Sequence, residues 1–168
     1  MSSIIKLADL LSKIALFAAA IILIYAVSHI LLETLLRSLF SISTHVLDEF
    51  IGFAILSITF LSLSYTLRFD GMIRVNLLTA RMPQSVQHML ESLVSFVGCG
   101  MVGFFCTFLW RNFVKNWNRG AVSESVAEVP LWIPDTVVLF GAGLLCMQLF
   151  LRGVVALSPT LREQEEVN

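Results

Sequence analysis

The sequence predicts an all-α integral membrane protein: four transmembrane helices with short interfacial amphipathic helices. Three observations predict it. Residues 14–32, 50–67 and 92–110 contain no Asp, Glu, Lys or Arg, and a fourth such run, 136–151, lies between Asp135 and Arg152. A helix crossing roughly 30 Å of hydrocarbon needs about 20 mainly apolar residues. The first three runs nearly reach that length alone, and the fourth reaches it when 129–133 and 153–157 are added. Composition agrees, with 57% hydrophobic residues, 14% charged and a mean hydropathy of +0.86, against about 25% charged in an ordinary soluble domain. A soluble helix would also carry a polar face.

One membrane domain is expected over residues 14–157, with spans at 14–32, 50–68, 90–110 and 133–155. An interfacial amphipathic segment, 1–13, precedes it and a polar tail, 158–168, follows. The first apolar run is longer than a signal-peptide core and is followed by Leu35, Arg37 and Phe40, not a small-residue cleavage site, so it is expected to remain as the first span.

In the N-terminal segment Ile4, Ile5, Leu7, Leu10, Leu11 and Ile14 follow helical spacing, with Lys6, Asp9 and Lys13 on the other face. The same residues also read as an extension of the first span. The connection 33–49 holds a second amphipathic stretch, Glu33-Thr-Leu-Leu-Arg-Ser-Leu-Phe40, before Asp48 and Glu49 open the second span, where carboxylates favour the positive end of the helix dipole. The connection 111–133 mixes Trp110, Arg111, Phe113, Lys115 and Trp117, the composition of an interface belt. Pro130 and Pro134 mark the entry to the fourth span, where proline is tolerated. Arg152 is expected to snorkel to the surface at its far end.

Orientation follows from the cations in short connections. With four spans, both termini share a side with the 68–81 loop. That side holds seven cations (Lys6, Lys13, Arg68, Arg74, Arg81, Arg152, Arg162), and the other holds four (Arg37, Arg111, Lys115, Arg119). Termini and middle loop are therefore expected on the cytoplasmic side of a bacterial inner membrane. A net charge of −1 without a dense basic stripe excludes a nucleic-acid partner.

No catalytic constellation is present. His29, His45 and His88 have no Glu or second His at metal-ligand spacing, and no glycine-rich phosphate loop occurs. Neither a metal nor a cofactor is expected, and the chain does not read as an enzyme. Cys99 and Cys106, seven residues apart, lie two turns apart on one helix face, too far for a disulfide; with Cys146 they read as small packing residues. Gly98, Gly100 and Gly103 in the third span and Gly141 and Gly143 in the fourth allow close helix packing. No acidic residue lies in the middle of a span, whereas ion-coupled transporters commonly place one there. The chain reads as a partner to a transporting subunit.

The second span ends in Tyr65-Thr-Leu-Arg68, followed by Asp70-Gly-Met-Ile-Arg-Val-Asn-Leu-Leu78 and Arg81-Met-Pro83; later come Ser123-Glu-Ser125 and Val129-Pro-Leu-Trp-Ile133, then a glycine in span four. With the acidic pair Asp48-Glu49, this ordered set resembles the small membrane subunit (DctQ-like) of tripartite ATP-independent periplasmic transporters. Gly71, Arg74, Leu77, Leu78, Pro83, Pro130 and Trp132 match the family pattern. Met72 and Asn76 stand where the family usually has His and Asp, the family's Trp before the acidic pair is missing over His45-Val-Leu47, and no proline occurs at Leu139-Phe140.

The resemblance implies a permease subunit that scaffolds a large multi-span subunit. Together with a periplasmic substrate-binding protein, the pair imports an organic acid on a sodium gradient. Asp48, Glu49, Gly71, Arg74, Arg111, Lys115, Trp117 and Trp132 are the candidate residues for a partner or phospholipid interface. The competing reading is a self-sufficient homodimeric four-span exporter. Small multidrug exporters of that size rely on an acidic residue deep in the first span, and residues 14–32 have none.

Overall fold

A computed structural model describes residues 2–40, 46–69 and 83–157. Four helices fill them: α1 (Ser2–Phe40), α2 (Leu47–Arg68), α3 (Gln84–Arg119) and α4 (Trp132–Leu157). All four are long and apolar enough to cross a membrane. The two amphipathic stretches expected on either side of the first span form no separate helices; they are the first and last turns of an unbroken α1.

Neighbours along the chain run antiparallel. Asp9 of α1 meets Arg68 of α2, and His29 meets Phe50 twenty residues on. Arg152 of α4 meets Glu91 of α3, and Asp135 meets Asn112. In space the order is α1–α2–α4–α3, because α2 packs on α4 while α3 rests principally on α4 and α1 touches α4 only lightly. The N-terminus of α1 thus shares one end of the bundle, the proximal end, with the C-termini of α2 and α4. The C-terminus of α1 and the N-termini of α2 and α4 share the distal end.

The inward stripe of α1 is built from small residues. Leu7, Leu10 and Ile14 are more than half exposed, whereas Ala8, Ser12, Ala15, Ala19 and Ala26 are buried. Lipid is as apolar as leucine, so a membrane helix gains by turning small residues toward its neighbour, where the backbones can come close. The large aliphatic side chains are left to face outward. Ala15 and Ala19 form the core with Leu61 of α2 and Leu144 of α4, and Leu11, Ile22, Ile58 and Met147 pack around it.

The glycines divide in the same way. A Cβ on Gly141 would lie 2.7 Å from the backbone carbonyl of Phe60, so α2 and α4 touch backbone to backbone there. On Gly153 it would meet the Phe96 ring of α3 at 3.1 Å. Gly100 and Gly143 have nothing within 4 Å and line no interface among the described residues.

Candidate partner and lipid interface

At the proximal end all four helices are joined by polar side chains. Arg68 donates from Nε to Asp9 at 2.8 Å and from Nη2 at 3.2 Å, a two-pronged contact with both partners about three-quarters buried. The Gln148 amide of α4 reaches Ser12 Oγ at 3.1 Å, and Asp9 lies at 3.4 Å. Arg152 donates to Glu91 of α3 at 2.9 and 3.1 Å and to the Leu67 carbonyl of α2 at 2.7 Å. Ser92 donates to the Gly153 carbonyl at 3.0 Å. Arg152 therefore does not snorkel outward: its head is 19% exposed and bound to two neighbouring helices. A guanidinium carries five N–H donors in a fixed fork, which suits it to such a junction.

Proximal and distal polar groups stand about a bilayer apart. At 1.5 Å per residue, Asp9 to Glu33 on α1 spans about 36 Å and Asp135 to Arg152 on α4 about 26 Å, bracketing the roughly 30 Å hydrocarbon thickness. Glu33, 1% exposed, is a buried charge that the sequence reading placed in a connection. Arg37, one turn on, donates to it at 3.0 Å.

The described interface candidates all fall at the distal end. Asp48 and Glu49 occupy the first turn of α2, where the N-cap Val46 supplies no side-chain hydrogen bond, so their charges supply the favourable term at the helix start. Asp48 is exposed; Glu49 is half-buried, with Oε2 sealed and without a hydrogen-bond partner among the described residues. Arg111, Lys115 and Trp117 lie in α3, which runs on as helix to Arg119 and does not end in a connection at Arg111. Arg111 and Lys115 are exposed, with the Arg111 guanidinium 6.0 Å from the Phe108 ring. Trp132 is the first residue of α4 and meets Trp117 edge-on at 5.0 Å. Those two tryptophans close a row begun by Trp110 and Phe113. Gly71 and Arg74 lie outside the described residues.

Asp135 holds this aromatic end together, a role the sequence reading missed. It accepts from Asn112 at 3.1 and 3.2 Å and from Asn116 at 2.6 Å, tying the last turns of α3 to the first of α4. The link between them is equally ordered. Gly120 ends α3 in the left-handed conformation that glycine adopts without strain. Ser123 N–H donates to the Val129 carbonyl, and Val129 N–H donates back to Ser123 Oγ. The asparagines sit four residues apart, a helical spacing that could have flagged them opposite Asp135.

No His, Cys, Asp and Glu cluster among the described residues could hold a metal ion. What the site offers is a rim of exposed cations and aromatic rings above wide apolar helix faces. No curated protein and no solved structure matches the chain. The family model for the DctQ component of tripartite ATP-independent periplasmic transporters does match, over residues 26–158. That span takes in α1 from Ala26 onward and all of α2, α3 and α4, and the chain belongs to this family.

Proposed function

We propose that the chain is the small permease subunit of a tripartite secondary transporter importing an organic acid with a sodium gradient, and that it scaffolds and stabilises the large membrane subunit. The family match carries the reading, since DctQ components work with a large permease and a substrate-binding protein. Geometry supports it. Residues 50–67, 92–110 and 136–151, the middles of α2, α3 and α4, carry no charge on which an ion could be coupled, which leaves coupling to the large partner. Large apolar side chains such as Phe17, Ile24, Leu93, Met101 and Phe104 face outward on α1 and α3, giving a partner broad helix faces to pack on.

Counted over the sequence, the side that four spans give to both termini and the 68–81 loop takes seven of the eleven cations, so that side is cytoplasmic and both termini face the cytoplasm of a bacterial inner membrane. The distal rim of Asp48, Glu49, Arg111, Lys115, Trp117 and Trp132 faces the periplasm, at the level of lipid headgroups and of an incoming binding protein. Gly71 and Arg74, outside the described residues, stay candidates from the sequence for contact with the large subunit or a lipid phosphate.

Affinity purification of the full chain from its native membrane in mild detergent tests this. A near-equimolar large polytopic protein, identified by mass spectrometry, is the expected result. Recovery solely as a self-associated species would overturn the reading in favour of a homodimeric exporter.

A further inference from the structure

Cys99 of α3 and Cys146 of α4 face each other near the middle of the two helices. Their sulfurs are 3.5 Å apart. Each thiol also reaches the other residue's carbonyl, Cys99 Sγ to the Cys146 oxygen at 3.6 Å and Cys146 Sγ to the Cys99 oxygen at 3.7 Å. This reciprocal pattern sets the two residues directly opposite one another on antiparallel helices. Gly103, one turn further along α3, presents no side chain, and a Cβ there would approach Cys146 Sγ at 3.9 Å. The cysteines are partly exposed, so a small lipid-soluble reagent can reach them.

Disulfide sulfurs lie about 2.05 Å apart, so the two must close by about 1.5 Å, within reach of a modest χ1 rotation on each side. Cys106 is excluded as a partner of Cys99, because seven residues of helix separate them by about 10.5 Å along the axis. Nor does a sulfur–sulfur contact join Cys106 to Cys146 among the described residues.

We infer that Cys99 and Cys146 form an oxidisable dithiol, which a membrane-permeant two-electron oxidant of the diazene or quinone class converts into a disulfide stapling α3 to α4. With a diazene, one thiol adds across the N=N bond, forming S–N and N–H bonds. The second sulfur then attacks the first, S–S forms as S–N breaks, and its proton passes to the departing nitrogen. The dithiol loses two electrons and two protons, and the diazene leaves as a hydrazine. The new bond lies between the Glu91–Arg152 contact at one end of the helix pair and the Asn112–Asp135 contact at the other. It therefore fixes α3, which rests principally on α4, at its midpoint as well as its ends.

The test treats the full chain in native membranes with diazenedicarboxamide, then denatures it and labels the remaining thiols with a maleimide mass tag. The three free thiols should fall to one, and a non-reducing peptide map should join the Cys99 and Cys146 peptides. A membrane-permeant phosphine should restore all three. C106S should leave the crosslink intact and C99S should abolish it. Three thiols surviving treatment, a bond to Cys106, or a bond between two chains would each overturn the inference. The wild-type peptide map decides the matter even if a variant fails to fold.

Discussion

The two ends of the bundle are built on different principles. At the proximal end, charged side chains cross between helices: Asp9 to Arg68, and Arg152 to both Glu91 and Leu67, so that α1, α2, α4 and α3 are joined in one chain of contacts. At the distal end, asparagine amides join α3 to α4 through Asp135, while α1 meets α2 through rings, His29 against Phe50. Among the described residues the proximal end turns its two guanidiniums, Arg68 and Arg152, inward and leaves Lys6 and Lys13 exposed; the distal end leaves Arg111 and Lys115 exposed beside aromatic rings. Arginines cross between helices at one end, and a carboxylate held by amides does so at the other, beneath an exposed row of cations and rings.

The point between the two ends should be the most sensitive. Gly141→Leu drives a side chain into the Phe60 backbone, where a Cβ alone would already sit at 2.7 Å. Overpacking of this kind costs about 3 kcal/mol. Thermal unfolding in detergent should show both ends loosening together; a near-unchanged midpoint would mean that α2 and α4 are free to slide apart.

Arg152→Met comes next. It leaves Glu91 without this counter-charge and strips the Leu67 carbonyl of the Arg152 N–H donor, a loss of about 2 kcal/mol. Asp135→Asn at the distal end should cost only about 1 kcal/mol, because the hydrogen bonds it weakens join α3 to α4 alone. Chemical unfolding of the two variants side by side checks the order, and equal losses would erase the distinction between the ends.

The smallest effect on stability, within about 0.5 kcal/mol, belongs to the double variant Arg111→Gln/Lys115→Gln, since both residues are exposed. Its effect should instead fall on lipid and partner recovery, read by quantifying phospholipid and large subunit in the purified complex. Unchanged recovery of both would remove these cations from the interface.

The four spans were legible from runs of uncharged sequence alone, because water-free surroundings demand continuous apolar stretches of a fixed length. Trp110, Arg111, Phe113, Lys115 and Trp117 stand out along the chain as a mixed cationic and aromatic stretch, but the meeting of Trp117 with Trp132 does not. Nor were the proximal contacts legible. Asp9 and Arg68 are 59 positions apart, and Gln148 and Ser12 136. Their meeting depends on which helices are neighbours, and α4 sits between α2 and α3 for reasons of packing that no single run displays. Which face of α1 packs on its neighbours was not legible either, for a more general reason. The rule that large apolar residues point inward belongs to proteins in water; on this helix Ala8, Ser12, Ala15 and Ala19 mark the inside and Leu7, Leu10 and Ile14 the lipid.

The unequal helices have a consequence for where the protein can reside. α2 and α4, with 22 and 26 residues, are fastened to each other at Gly141 and Arg152, while α1 and α3, with 39 and 36, run beyond them. Fastened helices cannot easily tilt apart to suit their surroundings, so the adjustment passes to the lipid, at a fraction of a kcal/mol for each ångström of mismatch. The pair acts as a ruler for acyl-chain length. Bilayers of a matching chain length should hold the chain, and whatever docks on its long outer helices, at a fixed height.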